Sequence, residues 1–301
     1  MDYLLKFVLF VLFFPSWIAM NIPYPDVFQF ERKNVSDTLF TNSRPVGVLE
    51  NEKLYEASGI VFSRKFEGIL YGHNDSNGRS RVFVFDTLGN DYGTIRLKGV
   101  YNRDWEDIAV GPGPDPDKSY IYVGEIGDNQ SKWKSIYILR IAEPDTLGGD
   151  PEVEPEILKL KYPDGARDAE TLMLDPISRD LFLLTKRDSV NTLYKVNIDA
   201  FEAKEAVLEK VMTIAIPMAT GGDISPDGSE ILIKNYFSVY YWQRHQGESI
   251  AEALSRRPLL LPYKPEPQGE AIAFHPNGKS YFTLSEKRFR VEPILYRHDR
   301  K

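Results

Sequence analysis

Asp104-Trp105-Glu106-Asp107-Ile108-Ala109-Val110 sets a cluster of carboxylates directly ahead of an apolar run suited to a buried strand. The same opening recurs four more times in the chain. It reads Glu56-Ala57-Ser58-Gly59-Ile60, Asp168-Ala169-Glu170-Thr171-Leu172, Thr220-Gly221-Gly222-Asp223-Ile224 and Gln268-Gly269-Glu270-Ala271-Ile272. From Ser58 to Glu106, Glu170, Gly222 and Glu270 the steps are 48, 64, 52 and 48 residues. Repeats of that length are the mark of β-propeller blades, each a small sheet set around a shared axis. If the recurring strand is the innermost of each blade, the acidic openings converge at one end of that axis.

Outward from each opening the chain repeats a four-strand grammar. The second repeat runs Asp107–Gly111, Tyr120–Gly124, Ser135–Ile141 and Ile157–Tyr162; the third runs Thr171–Leu174, Leu181–Thr185, Thr192–Ile198 and Val211–Ile216. Ser225-Pro226-Asp227-Gly228 and His275-Pro276-Asn277-Gly278 supply the turn residues between first and second strands. Five repeats follow, and the last stops after Pro293–Arg297 without a fourth strand. Val46–Leu49, ahead of the first repeat, is predicted to fill that place and close the ring, which removes exposed strand edges. The fold class is therefore all-β: a five-bladed propeller over residues 46–301, with residues 21–45 a polar leader. Phe201–Glu209 and Glu248–Arg256 have helix-like composition and are assigned to the rim. A β-sandwich of about 20 strands in two domains is the competing arrangement, and it leaves the repeated openings unexplained.

Seventeen Tyr and 17 Phe in 301 residues suit a strand-rich globule, and the net charge of −7 disfavours a nucleic-acid partner. The chain contains no Cys, which excludes disulfides, thiolate metal sites and cysteine nucleophiles. Phe7 to Met20 is an apolar run behind Lys6, the length of a signal-peptide core rather than a full membrane span, so residues 1–20 are a signal peptide or an N-terminal anchor. The protein is expected to be secreted, touching a membrane only where that segment stays uncleaved. Asn34-Val35-Ser36 and Asn129-Gln130-Ser131 are glycosylation sequons consistent with that route.

Ser58, Glu106, Glu170, Gly222 and Glu270 hold the same place in five strands and would form one ring at the axis. Carboxylate, hydroxyl and carbonyl oxygens gathered there suit calcium, which accepts six to eight of them in a tolerant geometry. The loops after the second strands reach the same face. They carry His73, Asp75, Glu125 and Asp128 from the first two blades, and Lys186, Arg187, Lys234, Lys287 and Arg288 from the other three. A mouth acidic on one side and basic on the other, over a cation, suits an anionic, phosphate-bearing substrate. A charged rim that merely keeps the protein soluble would read the same way. His73 is as consistent with a packed structural role as with a base. Nucleophile-elbow, zincin and phosphate-loop motifs are absent.

In these residues the chain resembles the calcium-activated nucleotidases, or soluble apyrases, whose inner strands open with Ser, Glu, Glu, Ser and Glu. Ser58, Glu106, Glu170 and Glu270 match four of those positions, and Gly222 replaces the fourth in chain order, a Ser in that family. Asp75 matches an acid of that family's first-blade loop, Lys186-Arg187 its basic pair, and Lys234 its fourth-blade lysine. The resemblance implies a five-bladed propeller with axial calcium that hydrolyses nucleoside di- and triphosphates. Its Ser-Asp-Gly-Asp-Gly segment has no counterpart here, where Leu88-Gly89-Asn90-Asp91-Tyr92 stands. A non-catalytic calcium-binding scaffold for an extracellular matrix partner is the alternative.

Overall fold

The turn chemistry works as its residues require. In Ser225-Pro226-Asp227-Gly228 and His275-Pro276-Asn277-Gly278 the glycines take φ of 74° and 69°, and their N–H groups reach back to the carbonyls of Ser225 and His275 at 2.8 and 2.9 Å. Antiparallel hairpins build most of each sheet in the computed structural model, which describes residues 35–36, 38–76, 78–187, 190–287 and 292–301.

Five antiparallel sheets follow one another along the chain. The first contains β2 (Ala57–Phe62), β3 (Ile69–Asn74), β4 (Arg81–Asp86) and β5 (Asp91–Leu97); the second contains β6 (Trp105–Pro112), β7 (Ser119–Glu125), β8 (Ile136–Ala142) and β10 (Glu156–Lys161). The third is β11 (Ala169–Leu174), β12 (Asp180–Thr185), β13 (Asn191–Asn197) and β15 (Glu209–Ile214), and the fourth is β16 (Ala219–Ile224), β17 (Glu230–Asn235), β18 (Val239–Gln243) and β19 (Leu259–Leu261). In the fifth, β20 (Gly269–Phe274), β21 (Ser280–Ser285) and β22 (Ile294–Asp299) pair with β1 (Arg44–Val48), so the start of the propeller closes its end. Each first strand packs against the first strand of the next sheet, and β2 meets β20 to complete the circle. The molecule is a five-bladed β-propeller.

Each junction between blades holds its own apolar cluster. Trp105 and Tyr71 sit between blades one and two, Leu172 and Tyr122 between two and three, Ile231 and Leu193 between three and four. Phe282 and Phe62 join blades five and one, and Phe40 and Tyr281 join four and five. Phe40 is fully buried, its ring 5.0 Å from Tyr281, while the N–H of Ser36 bonds the Leu260 carbonyl. The residues from Ser36 onward thus pack with the blades, whereas those up to 34 lie outside the described residues.

One expected helix is a strand. Beyond a 3₁₀ turn at Ile198–Glu202, β14 (Glu205–Val207) pairs in parallel with the outer strand β10, and β9 (Glu152–Val153) likewise extends blade one beside β5. An open blade edge offers unpaired backbone groups, and pairing with them outweighs the helix-like composition of this segment. The second insertion does form a helix, α1 (Ile250–Ser255), started by a capping box between Ser249 and Glu252. Among the described residues no helix is long and apolar enough to cross a membrane.

Candidate metal centre

The ladder between first and second strands slips by one residue in every blade. The slips fall between Ala57 and Gly59, Trp105 and Asp107, Ala169 and Thr171, Ala219 and Gly221, and Gly269 and Ala271. A bulge turns the extra residue out of the ladder and re-aims its side chain. The five bulged residues are Ser58, Glu106, Glu170, Thr220 and Glu270. The equivalent residue of blade four is therefore Thr220, not Gly222, and the position carries a hydroxyl. Gly222 is a packing glycine: a Cβ there would stand 2.8 Å from the Leu232 carbonyl oxygen and 2.9 Å from the Thr171 methyl group.

The five do not share one task. Ser58 donates its hydroxyl to the Glu106 carbonyl at 2.6 Å, stitching blade one to blade two, and Thr220 leans on the Glu270 carbonyl at 3.4 Å. Glu270 accepts the Tyr236 hydroxyl at 2.6 Å and lies 3.8 Å from the Lys186 ammonium. Lys186 also ion-pairs directly with Glu170 and donates to Tyr236 at 2.9 Å. Burial presses Lys186 down, yet Glu170, Tyr236 and Glu270 around it raise its pKa. Burial presses Glu170 upward in turn, but an ammonium in direct contact favours the ionised pair.

Carboxylates gather between blades one and three instead. Asp75, Asp104 and Glu106 each bring an oxygen within 4.8 Å of the others, and Glu106, Asp168 and Glu170 do the same. Asp104 and Asp168 stand two residues ahead of the bulged glutamates. Their signal was in the quoted pentads, where Asp-x-Glu occurs twice. Asp168 is already engaged, accepting the Asp128 N–H at 2.8 Å and Arg187 Nε at 2.5 Å. The Asp75–Asp104–Glu106 group has no such cation on it among the described residues. Asp75 Oδ1 is buried without a partner. Burial, then Asp104, Glu270, Glu286 and Glu56, push Asp75 up to about 8. Burial and then Glu170, Asp75 and Asp104 raise Glu106 well above the carboxylate range.

Gly127 keeps this space open. A Cβ there would fall 2.1 Å from Glu106 Oε1 and 2.7 Å from the Asp104 carboxylate, so the loop can lie over both only because the residue is glycine. Beside it Asp128 is buried, with Oδ2 taking the Trp133 N–H at 2.6 Å and Oδ1 unpartnered. The donor set is oxygen only, crowded and short of positive charge, which fits a hard divalent cation such as calcium.

The basic side of the mouth is largely spoken for. Lys234 is fully buried, bonded to the Gly269 carbonyl, and pulled down to about 8 by burial against the opposing charges of Glu266 and Glu270. Arg187 rests on Asp168 and Asn129, and Lys287 pairs with Glu292 at 2.7 Å. Arg288 lies outside the described residues. His73 is packed edge-on to Trp105 with Nδ1 beside the Asn74 carbonyl at 3.0 Å, and burial lowers it to about 4. It is a neutral, structural histidine at neutral pH. Tyr236, which joins Lys186 to Glu270, was not among the expected residues; a lone Tyr in a loop gives no signal in sequence.

No protein-family model matches the chain, and no curated protein does. Among solved structures, the PQQ-bound aldose sugar dehydrogenase of Streptomyces coelicolor aligns over 86% of this chain and 97% of its own at 13% identity, with a TM-score of 0.49. A nidogen/laminin complex aligns over 82% and 84% at 12% identity, with a TM-score of 0.44. Both likenesses are too loose to bear on what this chain binds or does.

Proposed function

We propose that this propeller is a secreted, calcium-dependent hydrolase of phosphate esters or anhydrides, with the cation at the acidic end of its axis. The observation that carries the reading is the Asp75–Asp104–Glu106 group: three crowded carboxylates, an orphaned buried oxygen on Asp75, and a glycine that leaves the space above them open. Asp75, Asp104 and Glu106 would hold calcium, with Glu170 behind them. Bound there, calcium would supply a Lewis acid for a phosphoryl oxygen. Asp128 Oδ1, buried and without a donor, would accept a proton from an attacking water. Lys186 and Arg187 would act by fixing Glu170 and Asp168 rather than by gripping the substrate. The apolar N-terminal run supports the secretory route.

A second reading rests on how those cations are engaged. With Lys186, Arg187 and Lys234 all engaged internally, the mouth presents little free positive charge for a polyanion. A calcium-stiffened scaffold for a matrix partner needs none. Calorimetric calcium titration of the wild type, Asp75→Asn and Glu106→Gln, followed by phosphate release from nucleotides and simple phosphoesters, separates the two. Binding lost in both variants, with calcium-dependent release by the wild type, supports the hydrolase. Binding without release supports the scaffold, and no saturable binding overturns both.

A further inference from the structure

The opposite end of the axis, where the inner strands finish, holds an open cavity of about 290 Å³. Its walls are Val110, Pro112, Leu174, Pro176 and Pro226, contributed by blades two, three and four. Arg64 enters from blade one, just past β2. Its backbone is pinned, because its N–H donates to Glu143 Oε2 at 3.3 Å and Glu143 is itself held by Ser63 at 2.6 Å and by Ser119. The guanidinium is poorly served. Nη2 reaches the Val110 carbonyl only at 3.5 Å, and Nη1 is buried with no partner. No carboxylate ion-pairs with Arg64 among the described residues. Asp223 is near enough for its charge to be felt, but its Oδ2 takes the Phe274 N–H at 2.8 Å. Burial outweighs Asp223 and Glu143 and lowers the Arg64 pKa, as expected of a cation short of compensation.

We propose that this cavity is a binding site for a small organic carboxylate, its oxygens on the Arg64 guanidinium and its hydrocarbon body against the proline and leucine walls. A guanidinium presents a planar fork of donors matched to a carboxylate, and an orphaned buried donor costs free energy that such a ligand recovers. The apolar walls select the class. Inorganic phosphate would leave them uncovered and would surrender more hydration. Lys118, at the rim with its side chain 59% exposed, adds positive charge at the opening, which its 3.5 Å ion pair with Asp115 and the neighbouring Asp117 limit. The site stands at the far end of the axis from the acidic cluster and does not depend on calcium.

Ligand-observed NMR titration of the whole chain with benzoate, benzamide and inorganic phosphate tests this. Benzoate should bind saturably, with benzamide and phosphate each weaker by about tenfold or more. Arg64→Gln should weaken benzoate by a similar factor. Lys118→Glu, which touches only the rim, should weaken it several-fold at an unchanged melting temperature, and so tests the site even where Arg64→Gln does not fold. Absence of benzoate binding, equal binding of benzamide or phosphate, or undiminished binding by Lys118→Glu would overturn the assignment.

Discussion

Chelating the cation should leave the acidic end of the axis in a state whose stability falls as pH rises through the neutral range. Asp75, up to about 8, and Glu106, well above its ordinary value, bind protons more tightly folded than unfolded. Between the unfolded and folded pKa values the native state holds the extra protons. Their contribution is fully present in acid and lost as pH climbs through the folded values. Each extra proton is worth about 1.4 kcal/mol per pH unit. Solvent reaching partly exposed Asp75 and relaxation of the loops trim the pair to about 1–2 kcal/mol per unit between pH 7 and 8. For a domain of this size that is roughly 2–8 °C of melting temperature per pH unit. The window is chosen to avoid opposing groups. His73 and His298, lowered to about 4, act in the reverse sense only below their usual 6.5, and Lys234, lowered to about 8, opposes mainly above the window and with a minor share inside it. Asp107, also raised by burial, tilts every curve alike. Calorimetric melting from pH 7 to 8 in chelator and in excess calcium provides the comparison. Calcium bound there would hold the cluster ionised, so the loaded curve should lie higher and flatter, and Asp75→Asn should flatten the chelated one. Equal slopes with and without calcium would refute the reasoning.

Two further outcomes follow from contacts. Asp107 is a buried carboxylate that accepts N–H bonds from Ile108 and Leu172, each at 2.9 Å, and from Gly222 at 3.3 Å, so it ties blades two, three and four together. Asp107→Ala should cost about 3 kcal/mol or more in denaturant unfolding, with Asp107→Asn intermediate; a loss under about 1 kcal/mol would show that the tie is dispensable. Gly127→Ala puts a methyl group into the space beside Glu106 Oε1 and Asp104. It should weaken calcium binding about tenfold or more while leaving the strand content by circular dichroism unchanged, and unaltered affinity would move the cation elsewhere.

Much of this was legible before any coordinates. The pattern at Asp104–Val110 is local, and its recurrence about every 50 residues declared the blades and the closing strand at Val46–Leu49. Hairpins are specified by neighbouring residues, so their strands could be placed within two or three positions. Ser58, Glu106, Glu170 and Glu270 were aligned correctly for the same reason. Gly222 was misaligned because the Thr-Gly-Gly stretch of blade four fits the repeat in two registers, and only the hydrogen-bond ladder, with its bulge at Thr220, chooses between them. The segment at 205–207 misled because its composition favours a helix while the free edge of blade two offers it a partner.

The sequence by itself determined the repeat, its count and the sign of the charge gathered at one end of the axis, since each is written in short local motifs, and the strand missing from the last repeat pointed to the closure. Tertiary structure alone decided which charges cancel. Lys186 meets Glu170 and Glu270, and Arg187 meets Asp168, while Asp75, Asp104 and Glu106 are left facing one another. Arg64, to which the sequence reading assigned no role, likewise becomes a cation with one orphaned nitrogen in a cavity. Coulomb energy and desolvation depend on distances across blades some 50 residues apart, and those distances exist only once the ring has closed.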